Sequence, residues 1–239
     1  MISRDQIEEL RAEWRTTELN VAREYVQHVL LSAMFGTVAD LKLAFKGGTA
    51  LRILRRSPRF SEDLDFTGWT KGFHVGQWIK QAVKEASRAG LDFKSLESNA
   101  TSGGWFALIE TKVHEWPIQI EWNVSLREDA KPKTETVLAT SPLWPAYPVQ
   151  ALPVEEMVGE KIEALLRRKE PRDFFDIYYL LRERLGIKTI VGRKAALLTE
   201  VKKLNAKAVE KGLKEFLPVN QWAIARQLPA ALTQELDRL

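Results

Sequence analysis

The chain has 239 residues, no cysteine and only three histidines, His28, His74 and His114. The absence of cysteine excludes disulfides and thiolate metal sites. Three scattered imidazoles do not make a His-rich zinc site. A metal centre here would have to be built from oxygen ligands, which favours Mg²⁺ or Mn²⁺. No apolar run approaches the length needed to cross a bilayer, so no membrane partner is expected. The opening residues, MISRDQIEELRAEW, carry acids throughout and lack the apolar core of an export signal, so the cytoplasm is the expected compartment.

What is present is ordinary for a globular protein, with 45% apolar and 28% charged residues. The length fits one large domain or two small ones, and either can bury a core. The net charge of +4 is unevenly spread. Residues 1–160 hold 19 Lys/Arg against 22 Asp/Glu, whereas residues 161–215 hold 15 against 8. A basic third suits a polyanion such as RNA or DNA, although solvated helix faces explain the same composition.

Ser3 and Gln6 stand at capping-box spacing and open a short helix over residues 3–14. Leu19, Ala22, Val26, Val29, Leu30 and Ala33 recur at helical spacing and predict a helix over Glu18–Phe35. A strand is expected over Leu41–Phe45, a short helix over Thr49–Arg55 and a short strand at Leu64–Phe66. A helix from Val75 to Ala89 stops at Gly90. Strand patterns follow at Leu91–Leu96, Trp105–Lys112, Ile118–Val124 and Thr136–Ala139. Residues 141–153 contain Pro142, Pro145, Pro148 and Pro153 and read as a linker. Beyond it the pattern turns helical, over Pro153–Arg168, Pro171–Leu185, Val191–Phe216 and Pro229–Leu239. The expected class is α+β: a mixed-sheet domain with N-terminal helices over 1–150, then a helical domain over 151–239.

Two segments carry chemistry. Gly47-Gly48-Thr49 follows a strand and opens a helix, and Asp63-Leu64-Asp65-Phe66 comes shortly after. In a strand, residues two apart share a face, so Asp63 and Asp65 present two carboxylates side by side. At a separation of ~4 Å and an effective dielectric of ~20, their repulsion is about 4 kcal/mol. A hard divalent cation offsets it best, and also bridges phosphate oxygens. Glycine admits close backbone approach, and the N–H groups at a helix N-terminus attract phosphate. Thr49 and Ser61 add hydroxyls nearby. Taken singly, Gly-Gly is a turn and Asp-x-Asp a strand edge; in this order and at this separation they are far more specific. Glu121 is a candidate third acid, as metal ligand or base, because it alternates with the apolar residues of its strand.

Lys161 falls on the apolar face of its expected helix, so it must snorkel or meet an anion such as a phosphate. Asp173 and Asp176 fall in or near the first turn after Pro171, where the helix dipole alone accounts for them. An Arg172–Asp176 pair is also possible there.

The segment KGGTALRILRRSPRFSEDLDF, Lys46 to Phe66, and the EKIEAL and RRKEPRDFFDIYYLL stretches between Leu152 and Leu181 resemble the AbiEii/AbiGii toxin family. These are nucleotidyltransferases with the polymerase-β-type hairpin, the toxic partners of type IV toxin–antitoxin pairs. The resemblance implies a nucleotidyltransferase domain and a helical domain with a cleft between them. It implies that Asp63 and Asp65 hold the metal and that Gly47, Gly48, Thr49 and Ser61 line the phosphates. Lys161 and Asp173 match the family's later lysine and aspartate, with Lys161 also at the nucleotide. Some members transfer nucleotides to the acceptor end of tRNA, so a nucleoside triphosphate, tRNA and a cognate antitoxin are the implied partners. Two alternatives stand beside this reading: modification of a protein side chain, and an inactive nucleic-acid-binding or partner-binding module. The intact acidic pair argues against the second.

Overall fold

The computed structural model describes residues 1–127 and 131–239. The chain divides into two compact units, one of Met1–Arg56 with Phe60–Leu152, the other of Ser57–Arg59 with Pro153–Leu239. The class is α+β.

The first unit starts with helices α1 (Arg4–Trp14) and α2 (Glu18–Thr37). Ser3 caps α1 in a reciprocal capping box with Gln6. After α2 come β1 (Leu43–Lys46), α3 (Gly47–Arg55), β2 (Leu64–Gly68) and α4 (Gly72–Ala86). Five strands complete the unit: β3 (Lys94–Thr101), β4 (Gly104–Val113), β5 (Trp116–Leu126), β6 (Glu135–Ser141) and β7 (Trp144–Ala151). With β1 and β2 they form one mixed seven-stranded sheet in the order β3-β4-β5-β2-β1-β7-β6. β2 pairs antiparallel with β1 and parallel with β5, placing Asp65 opposite Lys46 on one side and Asn123 on the other.

Alternation decides which face is dry. Leu64 and Phe66 on β2, and Ile118, Ile120, Trp122 and Val124 on β5, are buried. Phe66 stacks on Trp122 at 5.5 Å between centroids and meets Phe45 at the same distance. α2 and α4 pack together, and α2 also contacts β5 and β7.

Three expected elements differ. The proline-rich stretch 141–153 is no linker, because Trp144–Ala151 is a strand of the sheet. Pro145 and Pro148 are tolerated because β1 pairs with β7 only at Ala151, so their part of β7 has β6 alone as neighbour. The long helix expected over Val191–Phe216 is broken: α8 ends at Val201, and Asn205 accepts from the Lys207 and Ala208 N–H groups to start a new helix. The last helix begins at Trp222, with Pro229 inside it rather than at its start.

The second unit contains α5 (Val154–Arg168), α6 (Pro171–Arg182), α7 (Ile187–Val191), α8 (Lys194–Val201), α9 (Ala206–Leu213) and α10 (Trp222–Asp237). α10 packs on α6, α8 and α9 around Leu180, Leu197, Leu213 and Leu228.

α2 carries buried polar groups into the first unit. Glu24 accepts from Arg52 at 2.8 Å, and His28 Nδ1 lies 2.9 Å from the Tyr147 hydroxyl. Burial, reinforced by the Arg52 charge, lowers the His28 imidazole from 6.5 to about 4. Between those values the unfolded chain binds a proton that the folded one does not. The stability tied to neutral His28 is therefore full above pH 6.5 and lost as pH falls toward 4. Moving from pH 7 to pH 5 is expected to cost about 2 kcal/mol through this residue, read from urea midpoints. A His28→Gln variant should lose most of that pH dependence; an equal loss in the variant would assign it elsewhere.

Candidate active site

The site begins where β1 ends. Gly47 has φ +83°, a left-handed conformation that side chains rarely adopt. It is also crowded: a Cβ there would run into the Asp65 carboxylate and stand 2.8 Å from Asp65 Cβ. The glycine is needed twice, for the turn and for the approach of Asp65. α3 starts at this turn, and its N-cap, Lys46, makes no side-chain cap hydrogen bond.

The segment that bears Asp63 and leads into β2 is held by contacts from α2 and α3. The buried Thr49 donates its hydroxyl to the Asp63 carbonyl at 2.5 Å. Gln27 of α2 donates to the carbonyls of Ser61 at 2.9 Å and Glu62 at 3.1 Å. Arg23 pairs with Glu62 at 2.9 Å. The Thr49 hydroxyl and the Ser61 carbonyl thus serve to fix the Asp63 backbone. Asp63 and Asp65 are both half-buried.

Asp65 is in register with Asn123, and Glu121 precedes Asn123 by two residues, so Asp65, Asn123 and Glu121 share one face of the sheet. Glu121 is exposed, and it lines a hollow of 370 Å³ together with Asp63, Glu62, Arg23 and Gln119. Among the described residues, no group of three or more His, Cys, Asp or Glu side chains is arranged to hold a metal. A pair of carboxylates fits a cation that keeps its waters and takes the remaining oxygens from a phosphate, which is the habit of Mg²⁺.

The second unit contains a buried charge cluster. Asp176 of α6 accepts from Arg59 Nε at 2.7 Å (Oδ1) and Nη2 at 2.9 Å (Oδ2), and Lys161 Nζ stands 2.7 Å from the same Oδ2. Asp176 is 1% exposed, Arg59 3% and Lys161 8%. Burial alone would push the Asp176 carboxyl up; the Arg59 and Lys161 charges outweigh it and lower it to about 2. Asp173, fully buried, is gripped by Arg168 at 2.8 and 2.6 Å and completes a capping box with Glu170.

The anion that meets Lys161 is therefore Asp176, while Asp173 is occupied by Arg168 and Arg172 pairs with Glu170 at 2.7 Å. Sequence reasoning singled out Asp173 over Asp176 and passed over Arg59. Nothing local marks Arg59, whose partner lies 117 residues further along the chain.

Removing Asp176 takes the shared carboxylate away from two buried cations. Asp176→Ala is expected to destabilise the protein by about 3–5 kcal/mol in urea unfolding. Glu163→Ala, which breaks the exposed pair with Arg193, should cost less than about 1 kcal/mol. The Asp176 contribution is present above pH 3.8 and lost as pH falls to about 2, since its folded value is the lower one.

Comparison with known proteins bears on this geometry. MenT4, a nucleotidyltransferase toxin from Mycobacterium tuberculosis, superposes with a TM-score of 0.68 at 18% identity, over 100% of this chain and 93% of that one. The crystal structure of JHP933 from Helicobacter pylori gives 0.66 at 18% identity, over 93% and 92%. These likenesses concern the fold. No curated protein matches the sequence. The family described as "Nucleotidyl transferase AbiEii toxin, Type IV TA system" matches residues 30–237, which carry Gly47, Gly48, Asp63, Asp65 and the Lys161–Asp176 pair. The chain belongs to the AbiEii family of nucleotidyltransferase toxins.

Proposed function

We propose that this protein transfers a nucleoside monophosphate from a nucleoside triphosphate to the 3′ end of a tRNA, with release of pyrophosphate. The observation that carries the reading is the packing of Asp65 against Gly47, which sets a carboxylate beside the N-terminus of α3.

The roles follow from the residues. The backbone N–H groups of Gly47 and Gly48, free of a side-chain cap, receive phosphate oxygens at the positive end of the helix dipole. Thr49 and Gln27 keep the Asp63 segment in place, with Ser61 in the same segment beside the phosphates. Asp63 and Asp65 would hold Mg²⁺ or Mn²⁺, which supplies charge neutralisation at the phosphates and a more acidic acceptor hydroxyl. Glu121 lines the same hollow as Asp63 and is the candidate to accept the acceptor proton. Lys161 is the lysine that the family resemblance assigns to the nucleotide, and Asp176 fixes its ammonium. Asp173, through Arg168, braces the start of α6. The family description implies a cognate antitoxin, whose reading frame is expected beside this one.

To test this, purified protein is incubated with Mg²⁺, each labelled triphosphate and total tRNA. Label should appear on the tRNA with wild type and not with Asp65→Ala. Absence of transfer by wild type, or full transfer by Asp65→Ala, would refute the reading. Label appearing only when the cell's protein fraction replaces tRNA would move the acceptor to a protein side chain. Gly47→Ala should keep the fold but displace Asp65, lowering the transfer rate by about 10²-fold, since misplacement by 1 Å suffices for that. Wild-type rates in Gly47→Ala would show that the close approach is dispensable.

A further inference from the structure

Residues 193–214 hold seven Lys/Arg and two glutamates. The structure shows what becomes of those two acids. Glu200 lies 2.7 Å from Lys203 and 3.0 Å from Lys169. Glu210 lies 2.8 Å from Arg226 and 3.0 Å from Lys214. Hydrogen bonds from these cations hold both carboxyls below their usual range. Two of the four clamping cations, Lys169 and Arg226, come from outside the stretch. Neither glutamate is left to neutralise its neighbours.

Of the other five cations, Arg193 pairs with Glu163 and Lys194 is half-buried, which leaves Lys202, Lys207 and Lys211. All three are exposed, and among the described residues none has an ion pair. Lys207 and Lys211 are four residues apart on α9 and stand one above the other on one face, about one turn of ~5.4 Å apart. Lys202 ends α8, just before Asn205. Asn205 spends its side chain on the first N–H groups of α9, so the positive charge offered here is that of the lysines.

Besides Lys203, the exposed residues between them are small or polar, Asn205, Ala206 and Ala208, while Leu204 is half-buried and Val209 buried. A protein partner needs aromatic or aliphatic anchors, and lysine is depleted from protein interface cores. The exposed large apolar residues of this unit, Val191 and Val219, lie outside residues 193–214. Exposed ammonium groups without apolar anchors suit a phosphodiester backbone, which is bound by charge and without sequence preference.

We propose that the α8–α9 face, through Lys202, Lys207 and Lys211, binds the sugar–phosphate backbone of an RNA body. The choice of RNA over DNA rests on the reading of tRNA as acceptor. The contact is separate from the chemistry, so it sets affinity for a whole RNA and leaves nucleotide binding alone.

The test is anisotropy of labelled total tRNA in EDTA, without nucleotide, across a salt series. Wild type should bind with an affinity that falls steeply with salt. A triple variant, Lys202→Ala with Lys207→Ala and Lys211→Ala, should reduce the slope of log affinity against log salt by about two to three. Arginine at the same three positions should restore it. Binding of Mg²⁺–triphosphate, measured by calorimetry, should be equal in all three proteins. An unchanged slope in the alanine variant overturns the proposal, as does wild-type protein that binds poly-glutamate more tightly than tRNA. Should wild type transfer nucleotide but ignore these lysines, the surface falls and the transferase reading stands. Should RNA binding follow the lysines while no transfer occurs, the surface stands and the transferase reading falls.

Discussion

The Asp65 carboxylate occupies the space a side chain at position 47 would need. That constraint organises the surrounding segments. β1 must end in a left-handed turn, and only glycine meets both the dihedral and the steric demand. The turn opens α3 with its first amides unblocked by a cap, next to a carboxylate. An acid beside the positive end of a helix dipole is favourable, and so is a phosphate. On the proposed reading, a cation would let both occupy the same place. The neighbouring contacts hold this in register: Thr49 on the Asp63 carbonyl, Gln27 on Ser61 and Glu62, and the antiparallel pairing of Lys46 with Asp65.

The helical unit handles charge differently. Asp176 is almost fully buried between two cations, and such clusters contribute little net stability over an apolar replacement. What they give is a single geometry. Lys161, left on an apolar helix face without Asp176, would extend to water in many rotamers. The pairing fixes its ammonium, and the bidentate Arg59 fixes the carboxylate in turn. Asp173 has the more ordinary task of closing the N-terminus of α6 with Glu170 and Arg168.

Much of this was legible in the sequence because it depends on local spacing. The alternation of Ile118, Ile120, Trp122 and Val124, the capping box at Ser3, and the order Gly-Gly, helix, Asp-x-Asp are written in consecutive residues, and periods of 2 and 3.6 report which side is dry. The break between α8 and α9 was within reach as well, since Asn205 is a strong cap. The prolines of β7 misled for a tertiary reason: a strand tolerates proline where one side has no partner, and that depends on where β1 stops pairing.

The sequence by itself determined the two carboxylates, the glycine turn beside them and the α+β class, because each is a matter of residue type and short-range period. The tertiary structure alone decided that Asp65 lies over Gly47, that Glu121 shares a hollow with Asp63, and that Lys161 answers to Asp176 and Arg59. These are pairings between residues far apart in the chain. Their choice is set by which buried charges can be satisfied together, and spacing carries no record of that.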